Sequence, residues 1–413
     1  MKVALISSKF LPEYAGSGYR AHTTYQRLRK RFDIEYRFIV NSIEFQDNAT
    51  YEHEGIEITR IARRFEPPRW PGLAGKAIKH VFSLITFLYQ GKLTLRELRK
   101  TRFDIIHTFG SSVSVHVAMY YARLKGIPLM REICNQATPP QTVLPFRLHQ
   151  VLPFHYDRKS IVVSISRAIT DNCVSSGVRR ERIWERPNPV DEARFHFTKE
   201  RRNELRKRLT SFSDFDFVIL NIGKFRQSKN QIFLLDVLRE LPSRFKLLLC
   251  GPLVTDGPLF EKDNTYYQSI VDRVSELGLE DRVLIRQAFI RNVEDYYQLS
   301  DVFAFPTLDE ALGTPMLECI ACGIPVVANR IAGVTDMWIK PGVNGFLSDV
   351  DACNFADYIQ KSIRIPTDTL HDASDEILSA AGSKVIDRAY ISKMTELAAA
   401  RRSTANYELR ITN

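Results

Sequence analysis

The chain has 413 residues, 44 % of them hydrophobic, which is enough for two domains with separate cores. Its six cysteines stand at 134, 173, 250, 319, 322 and 353 without framework spacing, which excludes a secreted disulfide scaffold and favours a reducing, cytoplasmic setting. The net charge of +10 is uneven: residues 1–200 hold 32 Lys and Arg against 19 Asp and Glu, the rest 26 against 29, so the first half attracts phosphates of some kind.

Lys2 and the short run VALI do not read as a secretory leader. Alternation of short apolar runs with amphipathic stretches then predicts a parallel sheet covered by helices. Strands are expected at 2–8, 35–40, 56–61, 103–109, 127–133 and 160–166, and helices at 17–31, 75–100, 112–125 and 167–176. Within 75–100 the longest uncharged apolar run, VFSLITFLY, is about half the ~20 residues that cross a bilayer. Lysines and arginines flank it, so this helix reads either as a core-packed helix or as an interfacial one, and the protein as soluble or peripheral at the inner membrane face. A charged run at 198–214 forms a bridge, with the interdomain linker set at 196–214 after a first domain of 1–195. A second alternating series, with strands at 215–223, 246–251, 282–289, 301–307, 324–329 and 345–349, makes a second domain of 215–380. The tail 381–413 reads as helix, returning to the first domain.

Three stretches carry chemistry. After the first strand, Gly16, Ser17 and Gly18 open a helix and offer backbone N–H groups to a phosphate, although Ala21 breaks the full dinucleotide fingerprint. After the first strand of the second series, NIGKFRQSKN supplies Gly223 for close backbone approach and Lys224 and Lys229 as point charges for a diphosphate. After the strand VFAFPT, Glu310 lies in a loop, Gly313 precedes a helix with Thr314 as N-cap and Pro315 in its first turn, and Glu318 follows. A helix start with a carboxylate on each side suits a nucleotide sugar: phosphate at the helix end, hydroxyls on the acids. The plainer reading of both glutamates is surface charge. Asp214–Asp216 and Asp349–Asp351 form D-x-D pairs that read as linker and turn charge rather than a metal site, and Cys319 and Cys322 as core thiols.

Together these stretches resemble the retaining glycosyltransferases of family 4 (glycosyl transferases group 1), of GT-B architecture: α/β, with two Rossmann-like domains facing across a cleft. The likeness is strongest over 215–350. Its most specific element is E-x7-E followed by ECIACGIPVVA, carried by Glu310 and Glu318. The resemblance implies that Glu310 contacts the donor sugar near the reacting carbon and that Glu318 holds the ribose hydroxyls. The family's G-R-x4-K-G diphosphate motif is matched by Gly223, Lys224 and Lys229, with Lys for Arg and Asn230 for the last Gly, so charge is kept and the bidentate fork is lost. Its glycine-rich N-terminal loop is matched by Gly16 to Gly18, its NGVD turn by NPVD at 188–191, and two later turns by AGVTD and NGFL. Where many members carry a sugar-proximal histidine, this chain has Cys134 and Asn135. His107 matches a different position, and Arg131 and Glu132 are candidates for the missing polar function.

The resemblance further implies a nucleotide-sugar donor, a lipid-linked or glycan acceptor in cell-surface polysaccharide or glycolipid synthesis, and no cofactor or divalent metal. Contact with an anionic membrane is compatible with the basic first half. Nucleic acid is not expected, because no RNA-binding signature or aromatic array is present. The alternatives are a sugar-nucleotide hydrolase or epimerase of the same fold and a non-catalytic basic nucleotide- or nucleic-acid-binding protein.

Overall fold

A computed structural model describes residues 1–13, 15–65, 72–144, 153–198, 202–253 and 260–411. The chain forms two compact units, one of residues 1–186 with the chain from Asp387 onward, the other of Pro187–Ile386.

In the first unit the order is β1 (Lys2–Ser7), α1 (Gly16–Arg31), β2 (Glu35–Asn41), β3 (Ala49–His53), β4 (Ile56–Ile61), α2 (Gly72–Arg99), β5 (Ile105–Phe109), α3 (Val113–Leu124), β6 (Leu129–Ile133), β7 (Ser160–Ser164), α4 (Arg167–Ser175) and β8 (Ile183–Glu185). The sheet runs β3-β4-β2-β1-β5-β6-β7-β8. β5, β6 and β7 are buried along their whole length, so that His107, Thr108, Arg131 and Glu132 lie inside with the apolar residues beside them. β3 and β8 carry no strand signal in the sequence. Both are edge strands, β3 antiparallel to β4 with alternating exposure and β8 only three residues long. The order reverses direction between β1 and β5, so the loops after these strands diverge into a crevice.

Towards the C-terminus α2 is packed, with Gln90, Thr94 and Leu98 buried, whereas Val81, Ile85 and Leu88 along its middle are exposed. No described helix is long and apolar enough to cross a membrane.

The second unit follows as α5 (Arg202–Leu209), β9 (Phe217–Ile222), α6 (Phe233–Arg239), β10 (Phe245–Gly251), α7 (Phe260–Glu276), β11 (Val283–Gln287), α8 (Val293–Leu299), β12 (Val302–Phe305), α9 (Thr314–Ala321), β13 (Val326–Asn329), β14 (Gly345–Ser348), α10 (Ala352–Ser362) and α11 (Thr367–Ala381). Its sheet, β11-β10-β9-β12-β13-β14, is parallel throughout and reverses between β9 and β12. Leu247, Leu249 and Val302 from the strands meet Leu234, Leu238, Ile270 and Phe355 from the helices in one core.

The first unit ends at Arg186, nine residues before the expected 195, and the supposed linker is part of the second unit. Arg206 on α5 is 3 % exposed, donates to Leu299 O (2.8 Å) and Asp216 O (3.1 Å), and pairs with Asp301 together with Arg202. A buried guanidinium anchored this way cannot belong to a loose bridge. Residues 199–201 of that run lie outside the described residues. Asp214 pairs with Lys207 at 3.5 Å, and Asp351 caps α10 by accepting from Asn354 N. Cys319 and Cys322 are free and buried, and burial pushes the Cys322 thiol up to about 12. The last helix, α12 (Ser383–Ile411), starts in the second unit and from Asp387 belongs to the first, where that buried carboxylate accepts from Arg27 (3.2 Å) and Arg31 (2.7 Å).

Candidate functional site

The switch point of the second sheet sets the loop after β9 beside the loop after β12. Backbone and hydroxyl bonds join them: Thr307 Oγ1 donates to Ser228 O (3.1 Å) and Leu308 N to the same oxygen (2.9 Å). Lys229 and Glu310, 81 positions apart, are thereby brought together, with Nζ donating to Oε2 at 2.6 Å; both side chains stay partly accessible. The other Glu310 oxygen accepts from Ala311 N at 2.9 Å. Asn230, where the family motif ends in glycine, has φ 54° and ψ 35°, the left-handed conformation that asparagine tolerates better than other side chains. Lys224 is exposed near the end of β9, its ammonium pushed down by partial desolvation and by Arg226. At Gly223 a Cβ would meet only the Lys229 side chain and Gln231, at 3.8 Å or more, so the protein itself leaves that backbone approachable.

The start of α9 differs from the sequence expectation. Gly313, not Thr314, is the N-cap, at φ 78° and ψ 49°, with no side-chain cap. Only glycine adopts that conformation without strain, and a Cβ there would press on the Phe305 ring at 3.1 Å. Thr314 is the first helical residue, and its hydroxyl accepts from Asn188 Nδ2 at 2.8 Å instead of capping. One turn on, Glu318 accepts from Tyr297 OH at 3.1 Å. Burial lifts its carboxyl to about 7, against the opposing pull of that hydrogen bond and of Arg194. Arg194 is itself held by Glu294 at 2.5 Å. Arg194 and Tyr297 carry no local motif; Asn188 lies in the NPVD turn.

In the first unit, Gly16, Ser17 and Gly18 form the first turn of α1, beside the β1/β5 switch point, with Ala15 as an uncapped N-cap. Ser17 Oγ lies 3.4 Å from Ser8 Oγ. A Cβ on Gly18 would stand 1.9 Å from Lys9 O, so this glycine lets the helix start cross the loop after β1. Its neighbour Tyr14 lies outside the described residues.

The first-unit candidates divide. His107, Arg131 and Glu132 are each fully buried and bonded to protein, so contact with a sugar is not what they present. Tyr25 OH lies 2.9 Å from His107 Nδ1, His107 Nε2 is 3.4 Å from Glu132, and Glu132 also takes Arg186 and Tyr390 OH (2.9 Å). The Arg186 guanidinium and the His107 bond outweigh the desolvation of Glu132, holding its carboxyl down to about 2; burial pushes His107 down, towards its neutral form. Arg131 donates to Gly110 O and to Pro139 O (3.2 Å), bracing the loops after β5 and β6. Asn135 alone is exposed; its Oδ1 accepts from Thr138 Oγ1 at 2.9 Å. Glu132 is held by Arg186 and Tyr390, distant residues that the local sequence around 131–135 does not announce.

Residues 202–377 match the family model described as Glycosyl transferases group 1. N-acetyl-alpha-D-glucosaminyl L-malate synthase of Bacillus anthracis is 26 % identical over 215 residues, 51 % of this chain and 52 % of that protein. The UDP-Gal:alpha-D-GlcNAc-diphosphoundecaprenol alpha-1,3-galactosyltransferase of Escherichia coli is 22 % identical over 281 residues, 66 % of this chain and 68 % of its own. The chain spans about half the length of the first curated relatives it matches. Among solved structures, Anabaena Alr3699/HepE in complex with UDP-glucose aligns over 96 % of this chain and 99 % of its own with a TM-score of 0.66 at 16 % identity. That likeness is one of fold, the GT-B architecture of two parallel-sheet α/β domains.

Proposed function

We propose that this chain, which belongs to the glycosyl transferases group 1 through residues 202–377, moves a sugar from a nucleotide-diphosphate sugar to an acceptor with retention at the anomeric carbon. The observation that carries this reading is the Lys229–Glu310 pair at the β9/β12 switch point, next to the start of α9. Without ligand, the ammonium neutralises the carboxylate. A donor diphosphate competes for Lys229, and Lys229, Lys224 and the N-terminus of α9 then stabilise the negative charge that builds on that diphosphate as the glycosidic bond breaks and it leaves. Glu310, released from its partner, then faces the sugar beside the reacting carbon. Glu318, already desolvated against Tyr297, takes the ribose hydroxyls, with Gly223 and Gly313 giving backbone access. In the first unit, Gly16, Ser17 and Gly18 at the start of α1 are a further candidate for phosphate contact through their backbone N–H groups. Lysines and a helix terminus do the work of a divalent ion, so none is required.

The acceptor in this reading is lipid-linked or a glycan, used in cell-surface polysaccharide or glycolipid synthesis. The Escherichia coli relative, a galactosyltransferase named for a diphosphoundecaprenol-linked sugar, supports it. Peripheral contact with the inner membrane face is supported by exposed Val81, Ile85 and Leu88 on α2 and by the basic first half. The UDP-glucose complex of the Anabaena structure makes a UDP-sugar the first donor to try. Scanning fluorimetry against UDP-, GDP-, ADP- and CMP-sugars tests the reading. A ligand at 100 times its Kd stabilises by about 2.7 kcal/mol, and a panel in which no nucleotide sugar raises the melting temperature overturns it.

A further inference from the structure

A cavity of about 400 to 500 Å³ invites a ligand in two places on the first unit, and their charges differ. The cavity of about 400 Å³ at the amino ends of β1 and β2 mixes Lys2, Arg29 and Arg37 with Glu35 and Glu57, and Lys2 and Glu35 already pair at 3.4 Å. The other, of about 480 Å³, opens at the carboxyl ends of β1, β2 and β5 against α2. Among the described residues that line it there is no carboxylate, while Lys9, Arg63 and Lys79 contribute three cations.

Among the described residues one of those charges has a partner. Lys9 is paired with the buried Glu13, whose oxygens also accept from Ser42 Oγ (2.6 Å) and Ile43 N (3.1 Å). The lining amides are committed as well: Asn41 Oδ1 accepts from Ser114 N, and Gln90 Nε2 donates to Ala62 O. Arg63 and Lys79, together with the hydroxyls of Ser83 and Thr86, have no side-chain partner among the described residues. Two cations and two hydroxyls line one cavity with no acid among its described residues, a donor set that suits the oxygens of a phosphate. Beside them, Phe87 and the half-exposed Ile43 and Val143 provide an apolar wall.

We infer that this cavity holds the phosphate of a phosphorylated acceptor, with Arg63 and Lys79 as its charge partners and Ser83 and Thr86 as further donors. This rests on the transferase reading for the word acceptor, though not for the phosphate. The phosphate belongs either to a lipid head group or to a free phosphorylated sugar or polyol, and the test separates the two.

The full chain is titrated calorimetrically with glycerol 3-phosphate in an oxyanion-free buffer, and co-sedimented with phosphatidylcholine vesicles with and without phosphatidic acid. Binding of the soluble probe assigns a free phosphate, and binding of phosphatidic acid vesicles alone assigns a lipid head group. In either arm the double variant Arg63→Gln/Lys79→Gln weakens binding roughly 10- to 100-fold, and Lys229→Ala leaves it unchanged. Arg63→Lys, which keeps the charge, recovers part of the loss, and the variants keep the wild-type melting temperature because neither side chain is bonded among the described residues. No binding of either probe to wild type, or binding lost in Lys229→Ala and retained in the double variant, overturns the assignment. Failure of the nucleotide-sugar panel alone removes the transferase reading and leaves the phosphate site standing on these titrations.

Discussion

Glu318→Gln tests the electrostatics of the candidate site most directly. In the folded chain burial raises this carboxyl from 4.5 to about 7, so ionising it costs roughly 3 kcal/mol at 1.36 kcal/mol per pH unit. A raised acid pKa means that the folded protein keeps a proton the unfolded chain releases. The associated stability is therefore complete below pH 4.5 and is lost as pH rises through 7. Glutamine cannot ionise, so the variant should not suffer this loss. Measured by thermal unfolding of the second unit's transition in parallel at pH 5, 6, 7 and 8, the melting temperature of wild type should fall relative to the variant. A 3 kcal/mol change corresponds to about 6–12 °C in a domain of this size. Because ribose hydroxyls bind the carboxylate and not the acid, nucleotide affinity in wild type should rise through pH 7, while the variant's stays flat. Parallel pH curves for the two proteins would show that Glu318 ionises freely, and would refute the desolvated pocket against Tyr297.

Other consequences are equally direct. Lys229→Ala and Glu310→Ala should each lower transfer about 100-fold or more, read as product formed per minute. The pair is partly exposed and worth about 1 kcal/mol or less, so circular dichroism melts should move little; wild-type turnover in either variant would remove the proposed roles. Asp301→Ala strands the buried Arg206 and should destabilise the second unit by about 3–5 kcal/mol, measured in urea; a change below 1 kcal/mol would mean the cation is solvated. Val81→Ser/Ile85→Ser/Leu88→Ser should reduce flotation with anionic liposomes without lowering the melting temperature, since those side chains are exposed; unchanged flotation would exclude that face of α2.

What could be read from the chain depended on how far each feature's cause reaches. β5, β6 and β7 announce themselves because both faces are buried, while β3 and β8 are edges whose side chains need not be apolar. Lys229 and Glu310 were legible one at a time, each on a loop after a strand. Their meeting is a property of the sheet order, β9 beside β12, which no local pattern records. The domain boundary shows the same limit. A charged run around 198–214 looks like a linker, yet its arginines answer Asp301, roughly a hundred positions later. The actual crossing is marked by Glu132, a residue that looked like a site candidate. It binds Arg186, the last residue of the first unit, and Tyr390, on the helix that re-enters it, so both passages of the chain are anchored to one buried carboxylate. Removing that carboxylate would take the counter-charge from the buried Arg186 guanidinium, so Glu132 is better understood as holding the chain's exit and return than as touching a sugar.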